Sequence, residues 1–358
     1  MLIDEWQLVP AVWDRVRRAV DEDRAAGRFL LTGSAGVGAG VRIDSGAGRI
    51  VTLTLRPLSF AERGLHEPSV SLQGLLHGAA DIRGESEVDL RTYAEEILRS
   101  GFPGIRGLAG RARDVQLDGY LARVVDRELA EAGVEVRRPA ALRAWLSAYA
   151  AATATTTDYA KILSAATPAE GEEPVRQTAA AYREHLTRLF LLDPVQAWTP
   201  AFNPLKRLAA SPKHHLVDPA LAPRLVGVRI DGLLRGDGQR VGAGSGTWLG
   251  ALFESLATQA VRVHATAAGA RVGHLRTRGG EHEVNLIVER GEHSVVAVEV
   301  KLGPAQRPGR PSPERAGAGA RLPADRPRDH QHPHVCLPAA GWCRDRAAGV
   351  TWTVSASA

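Results

Sequence analysis

The chain has 358 residues, with 45 Lys and Arg against 40 Asp and Glu, a net charge of +5 and a sequence pI near 9.5. That length gives room for two or three domains with ample core, and no run of eighteen apolar residues exists, so no membrane partner is expected. The basic excess sits mostly in residues 303–358, which hold eight Arg against four acids; the remainder is nearly neutral, and the pI is therefore no nucleic-acid signature by itself.

In chain order, Leu2 and Ile3 run into adjacent carboxylates at Asp4 and Glu5. An apolar strand ending in two acids is the Walker B pattern, in which the first carboxylate holds the Mg²⁺ shell and the second polarises the attacking water. A solvated Asp-Glu turn gives the same pair, so the motif is weak alone. Trp13, Val16 and Val20 recur on one face and predict a helix over Val12–Val20. Arg28–Leu31 reads as a second apolar strand ending in Thr32-Gly33-Ser34, where the Ser34 hydroxyl is a candidate γ-phosphate sensor. Arg49–Leu55 predicts a third strand, with Ile50, Leu53 and Leu55 set against Thr52 and Thr54. Arg49 reads either as a phosphate contact or as a plain surface arginine.

Taken together, LIDEWQLVPAVWDRVRRAVDED…FLLTGSA…SGAGRIVTLTLRPLSFAERG resembles the second half of the ATPase core in a family of prokaryotic AAA-type P-loop ATPases. In that family a winged-helix segment and a C-terminal domain of unknown function with a restriction-endonuclease-like fold follow the ATPase. The resemblance runs from residue 2 to about residue 302. It implies an α/β chain with a partial ATPase core over 1–60, a helical lid over 61–115, a helical and winged-helix segment over 116–200 and an endonuclease-like α/β domain over 201–302. It also implies ATP and Mg²⁺ as cofactors, with Asp4, Glu5, Ser34 and Arg49 as the catalytic set.

One departure governs the expected activity. The family's GxxxxGK[ST] loop has no counterpart here, and Gly33–Gly40 lacks the Lys-Ser/Thr pair. The P-loop supplies most of the phosphate binding through its backbone N–H groups and lysine. Without a nucleotide Asp4 is expected to hold Mg²⁺ weakly, because that ion relies on phosphates for its remaining ligands. Hydrolysis by this chain is therefore not expected, and whether it keeps the family's ATP and Mg²⁺ or holds no cofactor stays open; the rival reading is an ATP-binding enzyme whose start lies upstream.

Further along, Pro57–Gly64 leads into a helical region stopped by Gly101-Phe102-Pro103-Gly104. Gln116–Leu129 is amphipathic, with Leu117, Leu121, Val124 and Val125 on one stripe, and an alanine-rich helix is predicted over Ala140–Thr153. A winged helix-turn-helix would pair Asp158–Ala165, capped by Thr157 or Asp158, with Thr178–Leu189, followed by a wing strand over Phe190–Trp198. Arg176, Arg183 and Arg188 would then face DNA phosphates. The twelve-residue connection with three glutamates argues instead for a wing that packs on protein, so DNA and protein partners both stand as expectations. Lys213–Gly227 reads as a strand and turn. The adjacent His214 and His215 point opposite ways on a strand, and Asp218-Pro219 caps the next helix. Gly232–Gly246 reads as a loop.

Thr247–Val263 predicts a helix with Leu249, Leu252, Phe253, Leu256 and Ala260 inward and Glu254 beside them. Strands follow over Arg271–Arg276, Glu283–Glu289 and Val295–Leu302. Closing the last two as a hairpin sets Glu289 against Val295 and, by counting back, Asn285 against Glu299, with Lys301 on the same face. That is the PD-(D/E)xK nuclease pattern of the resemblance: Glu254, Asn285, Glu299 and Lys301. Asn285 stands where the first acid belongs, and a hard dication depends on that charge, so cleavage is not expected. The simpler alternative is a Glu299–Lys301 pair that supports a strand. Beyond Lys301 the Pro/Gly/Arg-rich composition predicts a disordered tail over 303–358, consistent with a frame-shifted fragment truncated at both ends. Cys336 and Cys343 read as incidental thiols of a cytoplasmic protein.

Overall fold

The computed structural model describes residues 1–34, 46–65, 67–78, 88–130, 136, 138–167, 179–198, 211–237, 247–276, 283–291 and 294–302, with the backbone alone at 84–85, 131, 176–178, 343–344 and 350–357. The architecture is mixed α/β, with many short helices and small sheets. Among the described residues no helix is long and apolar enough to cross a membrane.

At the N-terminus, β1 (Leu2–Ile3) and β2 (Leu30–Leu31) pair in parallel, Leu2 opposite Leu30 and Ile3 opposite Leu31. Parallel neighbours need a crossover, and α1 (Ala11–Glu22) supplies it. Val16 is its buried position, and Trp13 lies 4.8 Å from the Trp6 ring. The third strand expected over Arg49–Leu55 does not form. Val51, Leu53 and Leu55 stand 83, 75 and 98% exposed, with no described strand beside them. Alternation records a side-chain preference, whereas a strand also needs a neighbour with free backbone groups.

Through the middle run α2 (Leu72–Leu76), α3 (Leu90–Arg99), α4 (Pro103–Arg106) and α5 (Gly110–Arg123), the last continuing through a π-helical turn at Val124–Glu128 into α6 (Leu129–Glu131). The predicted stripe of Leu117, Leu121, Val124 and Val125 is buried. Then come α7 (Pro139–Ala151), α8 (Tyr159–Ala166) and α9 (Arg176–Arg188), with Tyr182, Leu186 and Leu189 inward as expected. Asp158 occupies the N-cap position of α8, but its side chain makes no capping bond. The expected wing strand reduces to isolated bridges, Leu192 to Leu216, Val195 to Lys213 and Ala197 to His274. Helix α10 (Leu221–Val226) follows. Helix α11 (Ile230–Arg235) occupies part of the expected 232–246 loop, of which 238–246 lie outside the described residues.

Helix α12 (Trp248–Ala267) packs on an antiparallel sheet of order β4-β5-β6-β8, formed by Arg271–Arg276, Glu283–Arg290, Ser294–Leu302 and Val350–Ser357. Of the tail expected to be disordered, 350–357 form strand β8, whose register sets Trp352 opposite Val300 and Val354 opposite Val298, while 303–342 and 345–349 lie outside the described residues. A further pair, β3 (Gly84–Glu85) with β7 (Cys343–Arg344), is parallel. Thr247 starts α12 by accepting a hydrogen bond from Gly250 N at 3.1 Å. Thr247→Ala is expected to cost about 1 kcal/mol, read as a lower denaturant midpoint with an unchanged slope.

Two buried polar networks lock these layers together. Arg63, in a 3-10 turn over Ala61–Arg63, donates to Glu96 O at 2.7 Å and to Gln259 Oε1 of α12 at 3.1 Å, and Arg106 reaches Glu96 Oε2 at 2.6 Å. Asp218, fully buried, accepts from Ser100 Oγ at 2.9 Å, Gly101 N at 2.7 Å and Ala220 N at 2.8 Å. Ser100 adopts φ +71°, and a Cβ on Gly101 would meet Leu58 O at 2.8 Å, so this corner tolerates only glycine after the serine.

Candidate functional site

The parallel β1–β2 pair sets the first constellation. Thr32 N donates to Ile3 O at 2.9 Å, which extends the ladder and carries Thr32 Oγ1 to 2.5 Å from Asp4 Oδ1. The hydroxyl beside the acid is therefore that of Thr32; Ser34, the expected phosphate sensor, is exposed two residues on. Glu5 follows at φ +48°, a left-handed conformation that costs a glutamate free energy, and Gln7 Nε2 donates to its Oε2. Arg49 does not join this group. Its Nε lies 2.6 Å from Asp21 Oδ1 at the end of α1, a surface ion pair that holds the Asp21 carboxyl below its usual range.

A β-bulge interrupts the β4–β5 pairing beside the nuclease-like set. The hairpin register is as expected, Arg290 opposite Ser294 and Glu289 opposite Val295. On the other side of β5, Gly273 faces Ile287 and Leu275 faces Val284, so Asn285 and Leu286 together oppose His274 alone. A bulge of this kind re-aims a side chain. Asn285 is accordingly buried, bonded to Glu254 of α12, and its Oδ1 accepts from Val300 N at 2.8 Å. Glu299 and Lys301 pair with each other at 2.7 Å at partly exposed positions, alternating with the buried Val298 and Val300. The four predicted residues thus form two groups.

In place of that site stands a cluster centred on Lys213. Its backbone is clamped to Val195 by two hydrogen bonds, of 2.9 and 2.8 Å, and its side chain is wholly buried. Nζ lies 2.8 Å from Glu254 Oε1 and 2.6 Å from Glu283 Oε1, while Arg276 Nη1 is 3.9 Å from the other oxygen of Glu283. Burial opposes the Lys213 charge, but the two carboxylates outweigh it and raise its pKa. Glu283 is likewise desolvated, yet Lys213 holds its carboxyl below the usual range. For the deeper Glu254, burial wins and its carboxyl is raised. Sequence reading missed Lys213 and Glu283; positions 213–218 are all buried, so alternation there marks no single inward face.

His214 and His215 do point apart, His214 Nε2 to Thr157 O at 2.7 Å and His215 Nδ1 to Ser255 Oγ at 3.2 Å. No group of three His, Cys, Asp or Glu able to hold a metal exists among the described residues. Of the arginines proposed for DNA, Arg183 stacks 4.2 Å over the Tyr159 ring and Arg188 lies 2.6 Å from Glu184, while the Arg176 side chain lies outside the described residues.

Residues 1–64 match the model of an AAA domain, and residues 90–231 match a domain of unknown function (DUF8612). An uncharacterized protein of Mycobacterium tuberculosis and another of Mycobacterium bovis are each 28% identical over 259 residues, which is 71% of this chain and 50% of the relative. The chain spans about half the length of the curated relatives it matches. No solved structure matches it.

Proposed function

We propose that the chain is an ATPase-family protein whose first 64 residues carry the metal-facing half of an AAA-type nucleotide site, and that its own residues do not suffice for hydrolysis. The AAA-domain match supports the family relationship. The observation that carries the site reading is the Thr32–Asp4 contact at the ends of two parallel strands, which gathers a metal-binding acid, the following Glu5 and a hydroxyl at one sheet edge. These residues fit Mg²⁺ with a nucleotide: Asp4 would hold the ion, Glu5 would orient water and Thr32 would fix the Asp4 carboxylate. The chain contains no GxxxxGK[ST] segment to cradle the phosphates.

The test uses protein starting at Met1, a fluorescent ATP analogue and a phosphate-release assay. Weak, Mg²⁺-dependent analogue binding that Asp4→Asn abolishes is expected, without phosphate release. Turnover that stops in Glu5→Gln, or binding indifferent to Asp4→Asn, would sink the proposal.

A second reading concerns the C-terminal sheet: a nuclease-like fold without a hydrolytic set. It is supported by the order of acid-bearing helix, strand and hairpin, and by the neutral Asn285 bonded to Glu254. A DNA-binding role for α8 and α9 finds less support, because it would require Arg183 and Arg188 to leave Tyr159 and Glu184.

A further inference from the structure

The Lys213 cluster has the composition of a cation site. Two carboxylates from different elements, Glu254 on α12 and Glu283 on β5, converge on one point, and the group at that point is an ammonium 2.8 and 2.6 Å away. A buried salt bridge ordinarily pairs one acid with one base. Here a single lysine serves two acids, so the pocket stays one positive charge short of neutral when both acids are ionised, and Arg276 approaches only to 3.9 Å. Burial raises the Glu254 carboxyl, and the neighbouring Glu283 charge adds to it. Asn285 completes the lining, one side of its amide on Glu254 and its oxygen on the Val300 amide. Ions of the Mg²⁺ class take one or two protein carboxylates and complete their shell with water and phosphate oxygens, so the two acids would be the protein's contribution to a weak site whose other ligands are water.

We infer that the Lys213 ammonium is the resident cation of this pocket, and that removing its charge turns the Glu254–Glu283 pair into a site for one divalent cation. The lysine excludes metal in the natural chain by occupying the point between the two oxygens. Met is nearly as long as Lys and carries no charge, so Lys213→Met vacates that point and leaves the packing close to full.

Mn²⁺ is the probe, read by electron paramagnetic resonance and by thermal midpoint. Asp4→Asn is carried in every protein so that the N-terminal acids add no signal. The parent is expected to show no Mn²⁺ binding that depends on Glu254. Lys213→Met is expected to bind one Mn²⁺ at least tenfold more tightly and to rise in thermal midpoint with the ion, and adding Glu254→Gln should remove both effects. If Lys213→Met does not fold alone, recovery of its helical circular dichroism in Mn²⁺ but not in NaCl of matched ionic strength supports the inference, and no recovery counts against it. Folded Lys213→Met that gains no Mn²⁺ site, or a parent that already binds Mn²⁺ through Glu254, overturns it.

Discussion

Glu96→Ala is expected to lower the unfolding free energy by about 3–5 kcal/mol, as removal of one partner from a buried ion network does. Glu96 is 2% exposed and faces three guanidinium groups. Arg63, whose side chain is fully buried, loses its carboxylate at 3.3 Å, and Arg106 loses its contact at 2.6 Å. Burial already pulls the Arg63 pKa down, so the charge is costly to strand there. Arg63 keeps Leu58 O, Glu96 O and Gln259 Oε1, which limits the loss. Glu96→Gln retains size and a hydrogen-bonding oxygen and should lose less than half as much. Urea unfolding of the two variants checks this; a loss below about 1 kcal/mol for Glu96→Ala would place the network among weak surface pairs.

The second large effect is acid sensitivity from buried neutral histidines. Burial lowers the pKa of His214 and carries that of His215 well below the usual value; His274, also desolvated by burial, falls to about 4. Lys213 pushes His215 and His274 further the same way. A histidine with a depressed folded pKa binds fewer protons in the native state than in the unfolded one. Its stabilisation is complete above about pH 6.5 and is lost as the pH falls toward the folded pKa. For His274 that window runs from 6.5 to about 4, and the loss between pH 7 and 5 is about 2 kcal/mol. His214 and His215 steepen the decline. Glu254 has the opposite sign: its raised carboxyl stabilises below about pH 4.5 and fades above, so it offsets part of the slope. His274→Gln keeps a donor for Ser211 O and removes the titration. Its unfolding free energy should fall less between pH 7 and 5 than that of the natural chain, and equal slopes would refute the assignment.

Much of this arrangement is legible from spacing alone. Leu249, Leu252, Phe253 and Leu256 recur at the helical period and are buried along α12, and the hairpin register follows from where the apolar runs resume after Arg290. The bulge is not legible, because one extra residue in β5 leaves no mark in composition. Counting back carried the β5–β6 register past Leu286, where the ladder ends, and grouped Asn285, which bonds Glu254, with the Glu299–Lys301 pair. The Thr32–Asp4 contact was not legible either, because the end of β2 is defined by its pairing with β1, a long-range fact. Strand β8 was hidden by its neighbourhood. Val350, Trp352 and Val354 do alternate with Thr351, Thr353 and Ser355, but the Pro- and Arg-rich stretch before them dominated the reading.

The corner at Ser100 has a kinetic corollary. Its left-handed backbone gains its two acceptor contacts from Asp218, 118 residues downstream in the case of the serine hydroxyl. Helices α3 and α4 can form early, but the angle between them is fixed only when that carboxylate arrives. During synthesis on the ribosome, the first hundred residues therefore wait for a further hundred before this joint can close.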